Sequence, residues 1–477
     1  MPLPGWFFGL TQIFIKKSND MMETYDAIVI GTGQAGPSIA ARCASEGLKT
    51  AVIEKHKFGG TCVNTGCTPT KAMVASARAA YMARRGNEFG VEISGDISVN
   101  LEKVKARKDK LVHNSTKGVE GWLRETKNLT VIEGHARFTD YHTVQVGNKL
   151  LTSERIFINT GAHPFVPPAL REVDYMTNAE IMELEEVPEH LIIVGGSYIG
   201  LEFGQMFRRF GSEVTIIEQG EEIIGREYPS TSKTVRNILE EEGVVFRLNS
   251  KCISATQSGK EITVNVDCAS GPSQITGTHL LVATGRHPNS DDLGLEYTDI
   301  ETDEHGYIKT NDILQTSLNG VWALGDVNGK GAFTHTAYND FEIVAANLFD
   351  DDPRKVSDRI LNYALYTDPS LSHIGMYEHE ARESDRNVLI GYREMSRIAR
   401  AKERGETKGF IKILVDADTE KILGATILGI DGDEIIHSLL DIMYANKPYT
   451  IISRAIHIHP TISELIPTIL QNLKPLE

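Results

Sequence analysis

One pattern, written twice, constrains this fold more than anything else in the chain. Residues 25–55 read YDAIVIGTGQAGPSIAARCASEGLKTAVIEK. That is an apolar strand, a Gly-rich turn, a helix and a second strand that ends in an acid. Gly31, Gly33 and Gly36 give G-x-G-x-x-G, and Glu54 follows Gly36 by eighteen residues. The first glycine permits a tight turn and the second lets backbone approach a pyrophosphate. The third lets helix and sheet pack closely. The helix N-terminus favours phosphate charge, and the acid can accept ribose hydroxyls. Residues 190–220, HLIIVGGSYIGLEFGQMFRRFGSEVTIIEQG, repeat the unit with Gly195, Ser197, Gly200 and Glu218. Serine at the middle position is a departure, but it is small enough for a close approach. A lone glycine motif is weak; in register with strand, helix and acid it is strong. Two such units predict two bound dinucleotides.

Weaker signals fill in the organisation. Apolar strands close on Thr-Gly turns at Thr160-Gly161 and Thr284-Gly285, and the strand of GVWALGDVNG runs into Gly325-Asp326. The Thr-Gly turns suit crossovers between domains, and an Asp at a strand end suits a sugar hydroxyl. The C-terminal stretch, with GFIKILVDADTEKILGATILG and DEIIHSLLDIMYAN, has mixed strand and helix patterning without a further nucleotide motif. It reads as a separate α+β domain. The expected fold class is α/β, with two Rossmann-like units and a C-terminal α+β domain.

Composition bounds the function. A chain of 477 residues is too long for one ordinary core. Its hydrophobic content of 41% and charged content of 24% are ordinary for a globular protein. A net charge of −16 argues against nucleic acid or an anionic membrane as the main partner. The opening MPLPGWFFGLTQIFIKKSND carries an apolar run too short to span a bilayer, which needs about 20 apolar residues. It has no basic residue ahead of that run, so a signal peptide is not expected. Residues 1–23 read as an extension outside the fold, in preference to a membrane-contact helix.

Five cysteines are too few, and odd in number, for a secreted disulfide scaffold. Two of them, Cys62 and Cys67, share the stretch GGTCVNTGCTPTK. On a regular helix, residues five apart have Cα atoms roughly 8–9 Å apart, whereas a disulfide needs about 4.4–6.8 Å. A bridge therefore requires a loop or a distorted first helical turn, which Gly66 and Pro69 permit. Zinc would want a second Cys or His pair of matching spacing, and Cys43, Cys252 and Cys268 are scattered. An inert thiol pair is the other alternative. A redox pair in a cytoplasmic protein fits the composition best.

Together these residues resemble the class I pyridine nucleotide-disulfide oxidoreductases, a family that includes dihydrolipoamide dehydrogenase, glutathione reductase and mercuric reductase. The resemblance runs from about residue 24 to 470. GGTCVNTGCTPTK is its most specific mark, and YTDPSLSHIGMYEHEA and IHIHPTISE are confirming marks of a dimer-forming domain. It implies a homodimer with FAD bound by segments 24–162 and 290–352, NAD(P)H by 163–289, and an interface domain at 353–477. FAD would be held by Gly31, Gly33, Gly36, Glu54, Thr160, Gly161 and Asp326. Gly60, Thr61 and Lys71 would complete the cofactor set beside the cysteines, and Gly195, Ser197, Tyr198, Gly200, Glu218 and Gly285 in the second unit. Cys67 would lie against the flavin and form a thiolate charge-transfer pair, while Cys62 would exchange with substrate. Lys71 would pair with Glu202, and Tyr198 would gate the nicotinamide site. His459 and Glu464 would enter the partner's site as an acid/base dyad. A metal pair at His457 and His459, alternating on a strand, is the alternative for those rings; no resident metal is expected.

The wording VNTGCTPTK and the helix VASARAAYMARR look most like the mercuric reductase-like branch. That branch carries a vicinal C-terminal cysteine pair, and this chain ends LQNLKPLE. The His459/Glu464 dyad is similar to that of the dithiol–disulfide enzymes. Disulfide or dithiol oxidoreduction with a small-molecule substrate is therefore the preferred expectation. Metal-ion reduction at the same cysteines comes second and a non-catalytic flavoprotein third. Glu218, with Glu221 and Glu222 a few residues on, favours NADH over NADPH, since a 2′-phosphate there would meet like charge. The first basic residue beyond Glu218 is Arg226.

Overall fold

A computed structural model describes residues 21–268 and 273–476. The expectation for residues 1–20 lies outside the described residues. Residues 21–23 do not belong to an extension: Met21–Thr24 is a strand, paired in parallel with Lys149–Thr152. The apolar side-chain pattern there is too short to be read from the sequence, and a partner more than a hundred residues away fixes it.

The first nucleotide unit builds a parallel five-stranded sheet in the order Val321–Ala323, Ile156–Ile158, Ala27–Ile30, Thr50–Glu54, Leu129–Glu133. Ala27–Ile30 is buried along its whole length, as expected for a parallel strand covered on both faces. The helix Ala35–Ser45 lies on one face, with Ile39, Ala40 and Cys43 in the core against Val29 and Val52. The second unit repeats the plan with the parallel order Tyr175–Met176, His279–Val282, His190–Val194, Glu213–Ile217, Val244–Arg247. Its helix, Tyr198–Phe210, buries Leu201, Phe203, Met206, Phe207 and Phe210. A small antiparallel sheet, Ser250–Ser258, Glu261–Cys268 and Gln274–Gly277, flanks it.

Both Thr-Gly turns lead into one short ribbon. Ala162–Pro164 pairs antiparallel with Arg286–Pro288, so chain leaving one unit is stitched to chain returning from the other. The C-terminal domain is a six-stranded antiparallel sheet, from Asn362–Leu365 at one edge to Lys474–Pro475 at the other. Helices cover it, with Ile411, Ile413, Ile427, Leu439 and Ile466 among the buried core. The α/β class with an α+β C-terminal domain is as expected. His457 and His459 differ: they lie in irregular chain between the helix Thr450–Ser453 and the helix Leu465–Leu470, not on a strand. Among the described residues no helix is long and apolar enough to cross a membrane.

Candidate active site

The first glycine turn is packed too tightly for side chains. A Cβ on Gly31 would stand 2.4 Å from the Asn159 carbonyl oxygen, and one on Gly36 would stand 2.0 Å from that of Gly31. Gly60 closes against the same turn, where a Cβ would meet Gly33 Cα at 2.7 Å. Glu54 ends the second strand with its carboxylate turned back: it accepts from Thr32 N at 3.0 Å, Thr32 Oγ1 at 2.5 Å and His56 N at 2.8 Å. From this corner a cavity of about 1460 Å³ runs past Gly31, Gly33, Thr160 and Gly161 to Cys62, Cys67 and Lys71. Asp326 and Tyr198 line its far walls. Ordinary small-molecule pockets hold roughly 300–1,000 Å³. A bare-backbone cradle with a carboxylate at one end fits an extended dinucleotide.

The two cysteines stand on different helices. Gly60–Asn64 is one turn carrying Cys62, and Cys67 begins the eighteen-residue helix Cys67–Arg84. The break falls at Thr65-Gly66; a Cβ on Gly66 would meet the Thr61 carbonyl oxygen at 2.8 Å, so glycine is required there. Pro69 sits in the first turn, where its missing N–H costs no helical bond. Both sulfurs are free thiols here. Hydrogen bonding from Cys62 lowers the Cys67 thiol to about 6, against burial and with help from the Thr334 hydroxyl and the Lys71 ammonium. Thr334 Oγ1 lies 3.3 Å from the Cys67 sulfur. A thiol at the first position of a long helix also gains from the helix dipole. The same hydrogen bond and burial push Cys62 up. The pair is thus polarised: a ready thiolate at Cys67 and a proton held at Cys62.

Lys71, one turn along from Cys67, donates to Glu202 at 2.6 Å. Glu202 is buried, and its other oxygen accepts from Tyr366 N at 2.9 Å. The Lys71 ammonium also sits 4.5 Å from the centre of the Tyr366 ring. Removing one partner of such a pair would strand the other, at a cost of roughly 3–5 kcal/mol. Tyr198 opens the second helix, lines the cavity near this pair and packs on Phe333 at 5.8 Å.

The second glycine turn has the same geometry and a different setting. Cβ atoms on Gly195 and Gly200 would meet the Ala283 carbonyl oxygen at 2.3 Å and that of Gly195 at 2.0 Å. Ser197 is the residue before the helix and makes no capping bond with its side chain. Glu218 accepts from Gly196 N at 2.6 Å and Gly220 N at 2.8 Å. Gly285, at φ +124°, supplies a conformation other residues rarely adopt, in the crossover ribbon. None of Gly195, Ser197, Gly200, Glu218 and Gly285 lines the main cavity.

His459 Nδ1 faces both Glu464 oxygens, at 3.1 and 2.9 Å. The ring is largely exposed, and it does not line its own chain's cavity. Ile456 and Ile458 beside it are exposed as well. Within one chain the dyad and the cysteines are therefore not brought together. His457 Nδ1 meets only the Ala455 carbonyl, and among the described residues no group of three or more His, Cys, Asp or Glu could hold a metal ion.

Several residues of this site went unread in the sequence. Thr334 starts the helix Thr334–Phe349 and reaches Cys67 across 267 positions. Arg286 lies 3.8 Å from Asp326, whose carboxyl is raised by burial and lowered by that guanidinium. Asp340, buried, accepts from Gly325 N and Asn328 Nδ2 and pairs with Arg359, so it holds the turn that presents Asp326. Threonine at a helix start is the one local signal that could have pointed to Thr334; the others depend on distant contacts.

A family model described as pyridine nucleotide-disulphide oxidoreductase matches residues 25–340, and the dimerisation domain of the same family matches 361–469. A probable pyridine nucleotide-disulfide oxidoreductase, RclA of Escherichia coli, is 34% identical over 93% of this chain and 98% of its own. The dihydrolipoyl dehydrogenase of Bacillus subtilis is 34% identical over 94% and 97%. A mercuric reductase of Staphylococcus aureus is 33% identical over 87% of this chain and 76% of its own. A solved structure, the Cu(II) complex of the HOCl-induced flavoprotein disulfide reductase RclA from E. coli, superposes with a TM-score of 0.86 at 32% identity. It covers 94% of this chain and 99% of that one. With both nucleotide units, the cysteine stretch and the dimerisation domain all matched, this chain belongs to the class I pyridine nucleotide-disulphide oxidoreductases, FAD flavoproteins that use a pyridine nucleotide.

Proposed function

We propose that the chain is an NADH:disulfide oxidoreductase acting on a small dithiol or disulfide, in the manner of a dihydrolipoyl dehydrogenase. Bound FAD supplies the two-electron relay between nicotinamide and the cysteine pair. Gly31, Gly33, Gly60, Thr61, Thr160, Gly161 and Asp326 would hold it, with Glu54 on the ribose. Cys62 is the outer nucleophile. A base first takes the proton held at Cys62; the thiolate so formed attacks one sulfur of the substrate disulfide and releases one thiol, which carries that proton away. Cys67 then attacks Cys62 sulfur, closes the Cys62–Cys67 bond and releases the second thiol. His459, delivered across a homodimer interface, is suited to take up the Cys62 proton and to supply each departing sulfur with one. The observation that carries the reading is the His459–Glu464 pair: both carboxylate oxygens face Nδ1, which fixes the ring and leaves Nε2 pointing outward. Proton management of that kind serves thiol exchange; electron transfer to a metal ion has no need of it.

NADH is the proposed donor. Glu218 already receives two backbone N–H groups at its corner, and a 2′-phosphate there would meet its negative charge. Arg247, in register with Ile217, stands at the same corner, and its Nε has no hydrogen-bond partner. A centre that must cycle through free thiols suits a reducing compartment, which supports a cytoplasmic setting.

A second reading keeps the same cysteines and makes a metal ion the substrate. It is favoured by the mercuric reductases among the relatives and by the copper complex of the solved E. coli protein. Turnover of NADH against lipoamide, glutathione disulfide, Hg(II) and Cu(II) separates the two. The first reading expects lipoamide-type turnover that falls by ~10²-fold or more in His459→Ala. Metal-only turnover, indifferent to His459→Ala, would replace it with the second.

A further inference from the structure

The loop that follows Glu218 is joined to Tyr198 along two separate routes. The first is backbone. Gly196 lies two residues before Tyr198; its N–H donates to Glu218 at 2.6 Å, and its carbonyl accepts from Ile224 N at 3.1 Å. Both ends of the 218–224 loop therefore grip one residue of the glycine turn, through the peptide groups on either side of its Cα. The grip is made by an unfavourable conformer: Ile224 is buried at φ +48°, a left-handed backbone that β-branched residues avoid. Such strain persists only where the surroundings over-determine it, and it concentrates at functional sites.

The second route runs through side chains. Glu227 N bonds back to the Ile224 carbonyl at 2.8 Å, which turns the loop toward the C-terminal domain. The Glu227 carboxylate is buried there and accepts the Tyr363 hydroxyl. The Tyr363 ring lies parallel to Phe333, with centroids 5.9 Å apart and planes at 5°. Phe333 in turn backs Tyr198. The contacts close a ring: Glu218, Gly196, Tyr198, Phe333, Tyr363, Glu227, Ile224 and Gly196 again. His373 shares the Glu227 pocket, but its Nδ1 is 3.9 Å from the carboxylate and faces the Thr426 hydroxyl instead, at 3.0 Å.

We propose that Glu227 is a positioning residue for Tyr198: through Tyr363 and Phe333 it ties the placement of that ring to occupancy of the Glu218 corner. The proposal rests on the reading of Glu218 as the adenosine-ribose acceptor. A nucleotide that settles on Glu218 and the glycine turn bears on the Gly196 backbone, from which both routes lead to Tyr198. An adjustment there appears at the Asn362–Leu365 strand and at Tyr198, where the nicotinamide end of the same nucleotide would arrive. One end of the ligand prepares the reception of the other, a coupling between two subsites carried by contiguous packed groups.

ADP is the probe, since it has the ribose and pyrophosphate but no nicotinamide. With the FAD-loaded dimer, saturating ADP is expected to slow amide hydrogen exchange in residues 361–365 by ~3-fold or more and to shift the flavin absorbance. In Tyr363→Phe, which keeps the ring stack, and in Glu227→Gln, both responses are expected to vanish, with ADP affinity by calorimetry within ~2-fold of the parent. Flavin reduction by NADH should slow by ~5-fold or more in both variants, while reduction of the Cys62–Cys67 pair by an added dithiol changes by less than ~2-fold. ADP that binds the parent without any response at 361–365, or a response retained in either variant, overturns the proposal. ADP that does not bind the parent at all overturns the Glu218 reading itself, and this inference with it.

Discussion

The two nucleotide units are built to one plan and are put to different use by their surroundings. In both, a Cβ on the third motif residue would meet the first glycine's carbonyl oxygen at 2.0 Å, and in both an acid at the second strand's end accepts backbone N–H groups. Around the first turn, Gly60 closes on Gly33, and Gly31, Gly33 and Glu54 all line the large cavity. Around the second, none of Gly195, Ser197, Gly200 and Glu218 lines that cavity, and Glu221, Gly225 and Arg226 of the adjoining loop are exposed. The first setting suits a cofactor that stays. The second suits a cosubstrate that arrives and leaves. What separates them is not the motif but what the rest of the chain lays over it.

The largest expected effect bears on the cysteines at the end of the enclosed unit's cavity. Cys67→Ser and Cys62→Ser should each lose disulfide turnover by roughly 10³-fold or more, as removal of a working nucleophile does. They should differ in colour. Cys62→Ser should retain a long-wavelength thiolate–flavin band, and Cys67→Ser should lack it. Absorbance spectra decide this, and a Cys67→Ser protein that keeps both band and turnover would reverse the assignment of the two sulfurs.

Next in size is a matched pair at the third motif position. Gly36→Ala and Gly200→Ala insert the same methyl at the same distance from a carbonyl oxygen, an overpacking that costs about 1–3 kcal/mol. Gly36→Ala should purify with little flavin. Gly200→Ala should purify fully yellow, with its NADH KM raised by ~10-fold or more. Equal flavin content in the two variants would remove the distinction between resident and exchanging sites.

A smaller effect concerns nucleotide choice. kcat/KM for NADH should exceed that for NADPH by at least ~10-fold, about 1.4 kcal/mol. Glu218→Ala should narrow the ratio, because it removes the like charge and leaves Arg247 at the corner. Steady-state kinetics with both nucleotides gives the answer, and a parent enzyme that prefers NADPH would mean that Arg247 outweighs Glu218.

The smallest effect is a matter of pH. The Cys67 thiol is lowered to about 6, so its charged form is favoured in the folded protein. The thiolate band of the reduced enzyme should be fully present well above pH 6 and fade as pH falls through that value. Lys71→Met removes one stabilising charge and should move the midpoint upward. Spectrophotometric titration measures both.

Much of this site is legible in the sequence because its motifs are local. Gly31 to Glu54 and Gly195 to Glu218 each lie within one turn–helix–strand stretch, and Cys62 and Cys67 flank a single helix break, so spacing carries the geometry. The Lys71–Glu202 contact spans 131 positions, and it was expected only through resemblance. Thr334, Arg286, Asp340 and Glu227 carry no motif that marks them as parts of the site, since each gains its meaning from a tertiary contact that no local spacing shows. The irregular run at His457 and His459 looks like a strand in the sequence because alternation is what a short segment shows when nothing sets its period. Residues 21–23 look like part of an extension for the converse reason: so short a strand carries too little pattern until Lys149–Thr152 pairs with it.

The break at Thr65-Gly66 gives the two sulfurs unequal anchorage. Cys67 is rooted in eighteen residues of helix, with Pro69, Thr70, Ala72 and Met73 buried beneath its start, whereas Cys62 rides on a single turn with no buried residue. A turn that short has little cohesion of its own. When the bond between the sulfurs opens, the lighter side is the one free to swing. On the proposed roles, the electron-receiving atom would keep its station, and the atom that meets a substrate of variable shape would do the travelling. A redox pair is thereby divided into an anchor and an arm, with the glycine between them as the joint.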